Sequence, residues 1–197
     1  LDLMGTGLTG RTLGVIGAGR IGKELLRLAR VFDLKLLAAD PYAERLELEY
    51  IGARPVALAE LMAQSDFVVV TCLLNEETRG LVGARELALM KPTAYLVNVA
   101  RGPVVDEKAL YQALAARRLA GAGLDVFEEE PTPADNPILK LDNVIVSPHA
   151  LCWTDELFGN IARTAIGAIA AVHAGRRPEF VVNVEALAHP RAKTWLK

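Results

Sequence analysis

The chain has 197 residues, 52% of them hydrophobic, and a formal charge of −2, enough apolar material for one full globular core with an appended segment. A near-neutral balance without a long basic block leaves no electrostatic footprint for nucleic acid or an anionic membrane, so neither partner is expected. Two cysteines and three unclustered histidines exclude a disulfide framework and a structural zinc site, and the spacing of His149 and Cys152 is not taken as a metal site.

In chain order the strand candidates are TLGVIG (12–17), LKLLAAD (34–40), a weak ARPVA (53–57), DFVVVTC (66–72), AYLVNVA (94–100), AGAGLDVF (120–127) and NVIVSPH (143–149). Most are nearly continuous apolar runs, the pattern of parallel strands covered on both faces. Between them lie helical patterns of crossover length, RIGKELLRLARVF, LAELMAQS, GARELALM and DEKALYQALAARR, the last with Asp106 read as its N-cap. The expected fold class is α/β, a doubly wound parallel sheet of Rossmann type with helices on both faces. A further helix is predicted from Thr154 to Ala174, ending at Gly175, with a tail EFVVNVEAL after it. The expected organisation is a dinucleotide-binding domain with a C-terminal helix over 1–175 and a tail over 176–197. The stretch TAIGAIAAVHAG is too short to span a bilayer, and no signal peptide is recognised, so a reducing cytoplasmic compartment is expected. The first residue is Leu1 rather than methionine, which suggests a fragment or a processed product.

In such sheets ligands bind beyond the carboxyl ends of the strands, and the residues there form a coherent set. After the first strand, GAGRIG places Gly17, Gly19 and Gly22 as GxGxxG. Gly17 permits the tight turn, Gly19 lets backbone approach a pyrophosphate, and Gly22 lets the helix pack closely on the strand. Asp40 ends the second strand about twenty residues on, where an acid accepts hydrogen bonds from the adenosine ribose and repels a 2′-phosphate, so the expected cofactor is NAD rather than NADP. Arg101 follows the fifth strand, Asp125 and Glu130 the sixth, and His149 the seventh. Singly, each has a plain alternative as a surface charge, an acidic run or a strand terminus. Together, a histidine, carboxylates and an arginine share the edge that holds the dinucleotide.

GVIGAGRIGKEL, VNVARGPVVDEKAL, GLDVFEEEP and VIVSPHA, in this order, resemble the successive signatures of the D-isomer-specific 2-hydroxyacid dehydrogenases. The resemblance runs from about Leu8 through the tail and corresponds to the family's nucleotide-binding domain and C-terminal return segment; the N-terminal substrate-domain half has no counterpart here. It implies that Arg101 holds the substrate carboxylate and carbonyl, that His149 is the acid/base, and that Glu130, directly before Pro131, supports the histidine. By the same resemblance Asp125 lies near the nicotinamide carboxamide, Arg20 and Ile21 beside the pyrophosphate, and Cys72 and Thr78 on the adenosine side. Val99, Ala100 and His149 complete the implied cofactor contacts. Leu73 stands where the family usually has proline. A homodimer formed through the nucleotide-binding half, and apolar surface on the late helix and tail meant for a substrate domain, are also implied.

The chemistry agrees with this set. Reduction of a 2-keto acid takes a hydride from nicotinamide and a proton at the carbonyl oxygen, so the site requires one proton donor near neutral pH and one fixed cation. The expected function is hydride transfer between NAD(H) and a small 2-hydroxy or 2-keto acid. An NAD(H)-sensing, corepressor-like binding module and a relative of formate dehydrogenase are the alternatives.

Overall fold

The computed structural model describes residue 5 and residues 7–195. Two compact units divide the chain, Leu1–His149 and Ala150–Lys197. This division falls earlier than the expected boundary after residue 175, so the long late helix is grouped with the segment that follows it. The ends of the expected ranges, residues 1–4, 6, 196 and 197, lie outside the described residues.

The first unit holds seven parallel strands in the order β3-β2-β1-β4-β5-β6-β7: β1 (Thr12–Ile16), β2 (Lys35–Ala39), β3 (Ala53–Pro55), β4 (Phe67–Val70), β5 (Tyr95–Asn98), β6 (Gly121–Leu124) and β7 (Val144–Val146). Every strand expected from the apolar runs is present. The helices α1 (Arg20–Ala29), α2 (Arg45–Ile51), α3 (Leu58–Gln64), α4 (Ala84–Leu87) and α5 (Glu107–Ala115) form most of the crossovers. Period-2 side-chain alternation divides the apolar runs between two cores. Leu13, Val15, Leu36 and Ala38 pack with Leu26, Leu48 and Ile51 from α1 and α2 on one face, while Ile16, Leu37, Val68, Val70 and Leu96 pack with Leu61, Leu110 and Leu114 from α3 and α5 on the other.

Two helical segments depart from the sequence expectation. GARELALM yields only the single turn of α4. α2 was not expected, because RLELEY alternates apolar and charged residues with the period of a strand. It buries only Leu48 and Ile51, is braced by Arg45 and Glu49 at 2.7 Å, and stops at Gly52 in the left-handed region.

In the second unit α6 (Asp155–His173) is capped by Thr154, whose side chain accepts the N–H of Leu157 at 3.2 Å. No residue of α6 is buried, and Phe158, Ile161, Ile166 and Ile169 are exposed. Among its described residues the tail makes no strand; it forms a 3-10 turn (Val184–Ala188) and α7 (Pro190–Trp195). Among the described residues no helix is long and apolar enough to cross a membrane.

At the amino ends of the central strands, Asp66 is almost fully buried. Its Oδ2 accepts the N–H of Thr12 at 2.8 Å and its Oδ1 the ammonium of Lys91 at 2.9 Å, with the Arg11 guanidinium at 3.8 Å. Burial raises this carboxyl, but the bonds from Lys91 and Thr12 and the charges of Lys91 and Arg11 outweigh it, leaving the group below the usual carboxylate range. A group with a depressed folded value stabilises the fold above its unfolded value and loses that contribution as pH falls through the folded one. We therefore expect Asp66→Asn to cost about 1–3 kcal/mol at about pH 7 and the variant and parent to converge on acidification. Urea titrations at several pH values check this.

Candidate active site

The order of the strands reverses between β1 and β4, and the crevice beyond their carboxyl ends is the place where an open α/β sheet accepts a ligand. Gly17 turns the chain out of β1 at φ +90°, and a Cβ there would collide with the backbone of Cys72. The Thr71 hydroxyl donates to the Gly17 carbonyl at 2.6 Å. Gly22 lies so close to the Gly17 carbonyl that a side chain would not fit, whereas nothing occupies the space where a Cβ on Gly19 would point. The turn is therefore closed on its protein side and open at Gly19. α1 begins there without a side-chain cap and without an acid in its first turn, which leaves its N–H groups for an anion.

One groove is lined by Gly19, Arg20, Ile21, Cys72, Val99, Ala100 and Arg101. These are seven of the residues singled out from the sequence. Leu73 lines it as well, and so do Thr71 and Leu74, which were not singled out. A backbone tight against Gly17, a cleft open at Gly19 and uncapped helical N–H groups together fit a dinucleotide pyrophosphate. Burial raises the Cys72 thiol, with the charge of Asp40 adding to it. Asp40, directly after β2, is held against the glycine turn, its Oδ2 accepting the N–H of Ala18 at 2.7 Å and its Oδ1 that of Tyr42 at 2.8 Å. Thr78 differs from the residues of the groove. Its hydroxyl donates to the Leu73 carbonyl at 2.5 Å and accepts the N–H of Asn75 at 2.8 Å, so it fastens the turn after β4.

Further along the same edge, His149 Nδ1 lies 2.8 Å from Glu130 Oε2, and Glu130 Oε1 accepts the N–H of Phe127 at 3.0 Å. An ionised carboxylate only accepts, so Nδ1 carries the proton and exchange chemistry falls to Nε2. Partial burial raises the Glu130 carboxyl, but the bonds from His149 and Phe127 and the charges of His149 and Arg101 hold it below its ordinary value. The field of Arg101 thus reaches the pair. His149 itself sits at φ +54°, a left-handed conformation that histidine tolerates better than most residues. Its N–H is held by the Asp125 carbonyl at 2.8 Å.

The braces of this cluster escaped the sequence reading. Asn98, 1% exposed, accepts the N–H of Ala100 at 3.0 Å and donates to the carbonyl of Arg101 at 3.0 Å. The buried Asp125 takes a hydrogen bond from the Ser147 hydroxyl at 2.5 Å. A hydrophilic residue closing an apolar strand is the one available signal for Asn98. Asp106 does cap α5, accepting the N–H of Ala109 at 2.9 Å. Among the described residues no three His, Cys, Asp or Glu side chains gather into a metal site.

Residues 1–150 match the family model described as D-isomer specific 2-hydroxyacid dehydrogenase, NAD binding domain. The chain is 43% identical over 183 residues to a glyoxylate reductase of Korarchaeum cryptofilum, covering 93% of this chain and 55% of that protein. It is 44% identical over 186 residues to a D-3-phosphoglycerate dehydrogenase of Methanocaldococcus jannaschii, covering 91% and 34%. Among solved structures, the D-lactate dehydrogenase of Aquifex aeolicus complexed with NAD and lactic acid superposes with a TM-score of 0.82 at 34% identity, covering 89% of this chain and 57% of that one. The chain thus spans about half or less of the length of these relatives.

Replacing Asn98 leaves the N–H of Ala100 and the carbonyl of Arg101 without their partner. We expect Asn98→Ala to lower stability by about 1–3 kcal/mol, read as a reduced urea midpoint with an unchanged slope.

Proposed function

Given that the chain belongs to the D-isomer specific 2-hydroxyacid dehydrogenase family and carries its NAD-binding domain, we propose that the whole protein is an NAD-dependent oxidoreductase of small 2-hydroxy and 2-keto acids. The observation that carries this reading is the His149–Glu130 pair at 2.8 Å with the charge of Arg101 upon it, on the edge that also bears the GxGxxG turn. Gly19, Arg20 and Ile21 would hold the pyrophosphate, and Asp40 the adenosine ribose. When bound, NAD(H) supplies or accepts the hydride. Arg101, planar and permanently charged, grips the substrate carboxylate by two hydrogen bonds and polarises the adjacent carbonyl. His149 gives its Nε2 proton to the carbonyl oxygen, while Glu130 keeps the ring oriented through Nδ1. Asp125, braced by Ser147, is assigned to the carboxamide side.

The preference for NAD over NADP rests on the Asp40 carboxylate at the end of β2. Dimerisation through this domain is supported by the exposed Leu28, Val31, Phe32, Leu46 and Tyr50 on α1, the turn after it and α2. The assignment of residues 1–149 to cofactor binding and of α6 and the tail to a substrate-domain connection belongs to the same proposal.

The experiment is NADH oxidation by the whole protein across a panel of 2-keto acids, beside NAD reduction by formate. Turnover with a 2-keto acid and none with formate is expected. His149→Ala should lower turnover about 10²–10⁴-fold while NADH affinity stays within about threefold. NADH binding without hydride transfer to any 2-keto acid would overturn the enzymatic reading, and nearly full activity in His149→Ala would overturn the assignment of the proton donor.

A further inference from the structure

Two side chains beyond the carboxyl ends of β2 and β4 have no part in the reading above. Tyr42 belongs to the loop after β2 and Glu77 to the loop after β4, the segments on either side of the β1 turn. Both are exposed, yet the Tyr42 hydroxyl donates to Glu77 Oε2 at 2.6 Å. The backbone of Tyr42 is anchored as well, through its N–H on Asp40 Oδ1, and Asp40 is itself anchored on the glycine turn through Ala18. The hydrogen bond and charge of Glu77, then desolvation, then the charge of Asp40 push the Tyr42 phenol above its ordinary value. Two carboxylates from different loops therefore act on one hydroxyl. Asp40 and Pro41, which directly precede Tyr42, also line an apolar recess with Ile16, Val56, Leu58 and Leu81, which has the character of a seat for a flat heteroaromatic ring.

We propose that Glu77, held in place by Tyr42, is a second carboxylate at the ribose end of the groove and discriminates against a cofactor that carries a 2′-phosphate. The proposal rests on NAD(H) occupying the groove. The charge of Asp40 is partly answered by two backbone N–H groups, whereas the bond found for Glu77 is a single phenolic one, so much of its repulsion toward a phosphate dianion is retained. An exposed glutamate free to turn into solvent would exert little of that repulsion, because screening and rotamer averaging dilute it. The bond from Tyr42 removes the averaging. Glu77 is thus a specificity residue and Tyr42 a positioning residue.

Fluorescence titration of the 197-residue chain with NADH and with NADPH tests this in the parent, Glu77→Gln and Tyr42→Phe. The parent is expected to bind NADH more tightly. Glu77→Gln should improve NADPH binding roughly three- to tenfold with NADH affinity nearly unchanged. Tyr42→Phe, which keeps the charge and frees its carrier, should give a smaller gain in the same direction. The difference between parent and Glu77→Gln should shrink as salt rises from about 0.02 M to about 0.5 M. An NADPH to NADH ratio unaltered by Glu77→Gln, or altered equally at both salt levels, overturns the role of Glu77 while leaving the cofactor reading intact. Failure of the parent to bind NADH overturns both.

Discussion

The carboxyl edge of this sheet depends on one steric constraint, the closeness of the Gly17 turn to Cys72. With φ at +90° and no room for a Cβ, the chain leaving β1 is pressed against the chain leaving β4, and the Thr71 hydroxyl seals the contact. From the other side the Gly17 N–H reaches the Ala39 carbonyl at 3.0 Å and Asp40 takes the N–H of Ala18. Three strands thereby agree on the position of one turn. The start of α1, the opening at Gly19 and the walls of the groove inherit their places from that agreement, and no side chain need enter the cleft to hold it open.

A second agreement, among β5, β6 and β7, positions the chemical groups. The Asn98 carbonyl accepts the N–H of Asp125, the Asp125 carbonyl accepts the N–H of His149, and the Ser147 hydroxyl closes on the Asp125 carboxylate. His149 accepts an uncommon left-handed backbone within this chain of contacts. Such local strain persists where the surroundings over-determine it, and here the carbonyl of Asp125 and the carboxylate of Glu130 grip the residue at both backbone and ring.

The strands were legible because burial on both faces leaves an unbroken apolar run, and the gathering of the candidate site residues on one edge because a parallel sheet collects whatever follows each run. Asp40, Arg101, Glu130 and His149 needed no long-range information beyond that rule. The hidden parts are those defined by partners remote in sequence. Nothing local marks Thr71 as the partner of Gly17, or Ser147 as that of Asp125, and Tyr42 meets Glu77 from a different loop. α2 was hidden for another reason: its alternating Leu and Glu fit a strand, and only its packing through Leu48 and Ile51 selects the helix. Thr78 resembles a contact residue by position, yet its hydroxyl is spent within its own turn.

The order of the strands also bears on how the chain assembles. Leu13 in β1 pairs with Leu36 on one side and with Phe67 on the other, so the central strand gains its first neighbour early along the chain and its second only after two more crossovers. Until β4 arrives, β1 is an apolar strand with one edge open, the arrangement that invites pairing with a foreign strand. Parallel contacts of long separation form slowly because chain entropy is lost before they are rewarded. The vulnerable period in the life of this fold is therefore the interval before β1 and β4 meet, and changes that weaken Val68 or Val70 would be felt in the yield of folded protein as well as in its final stability.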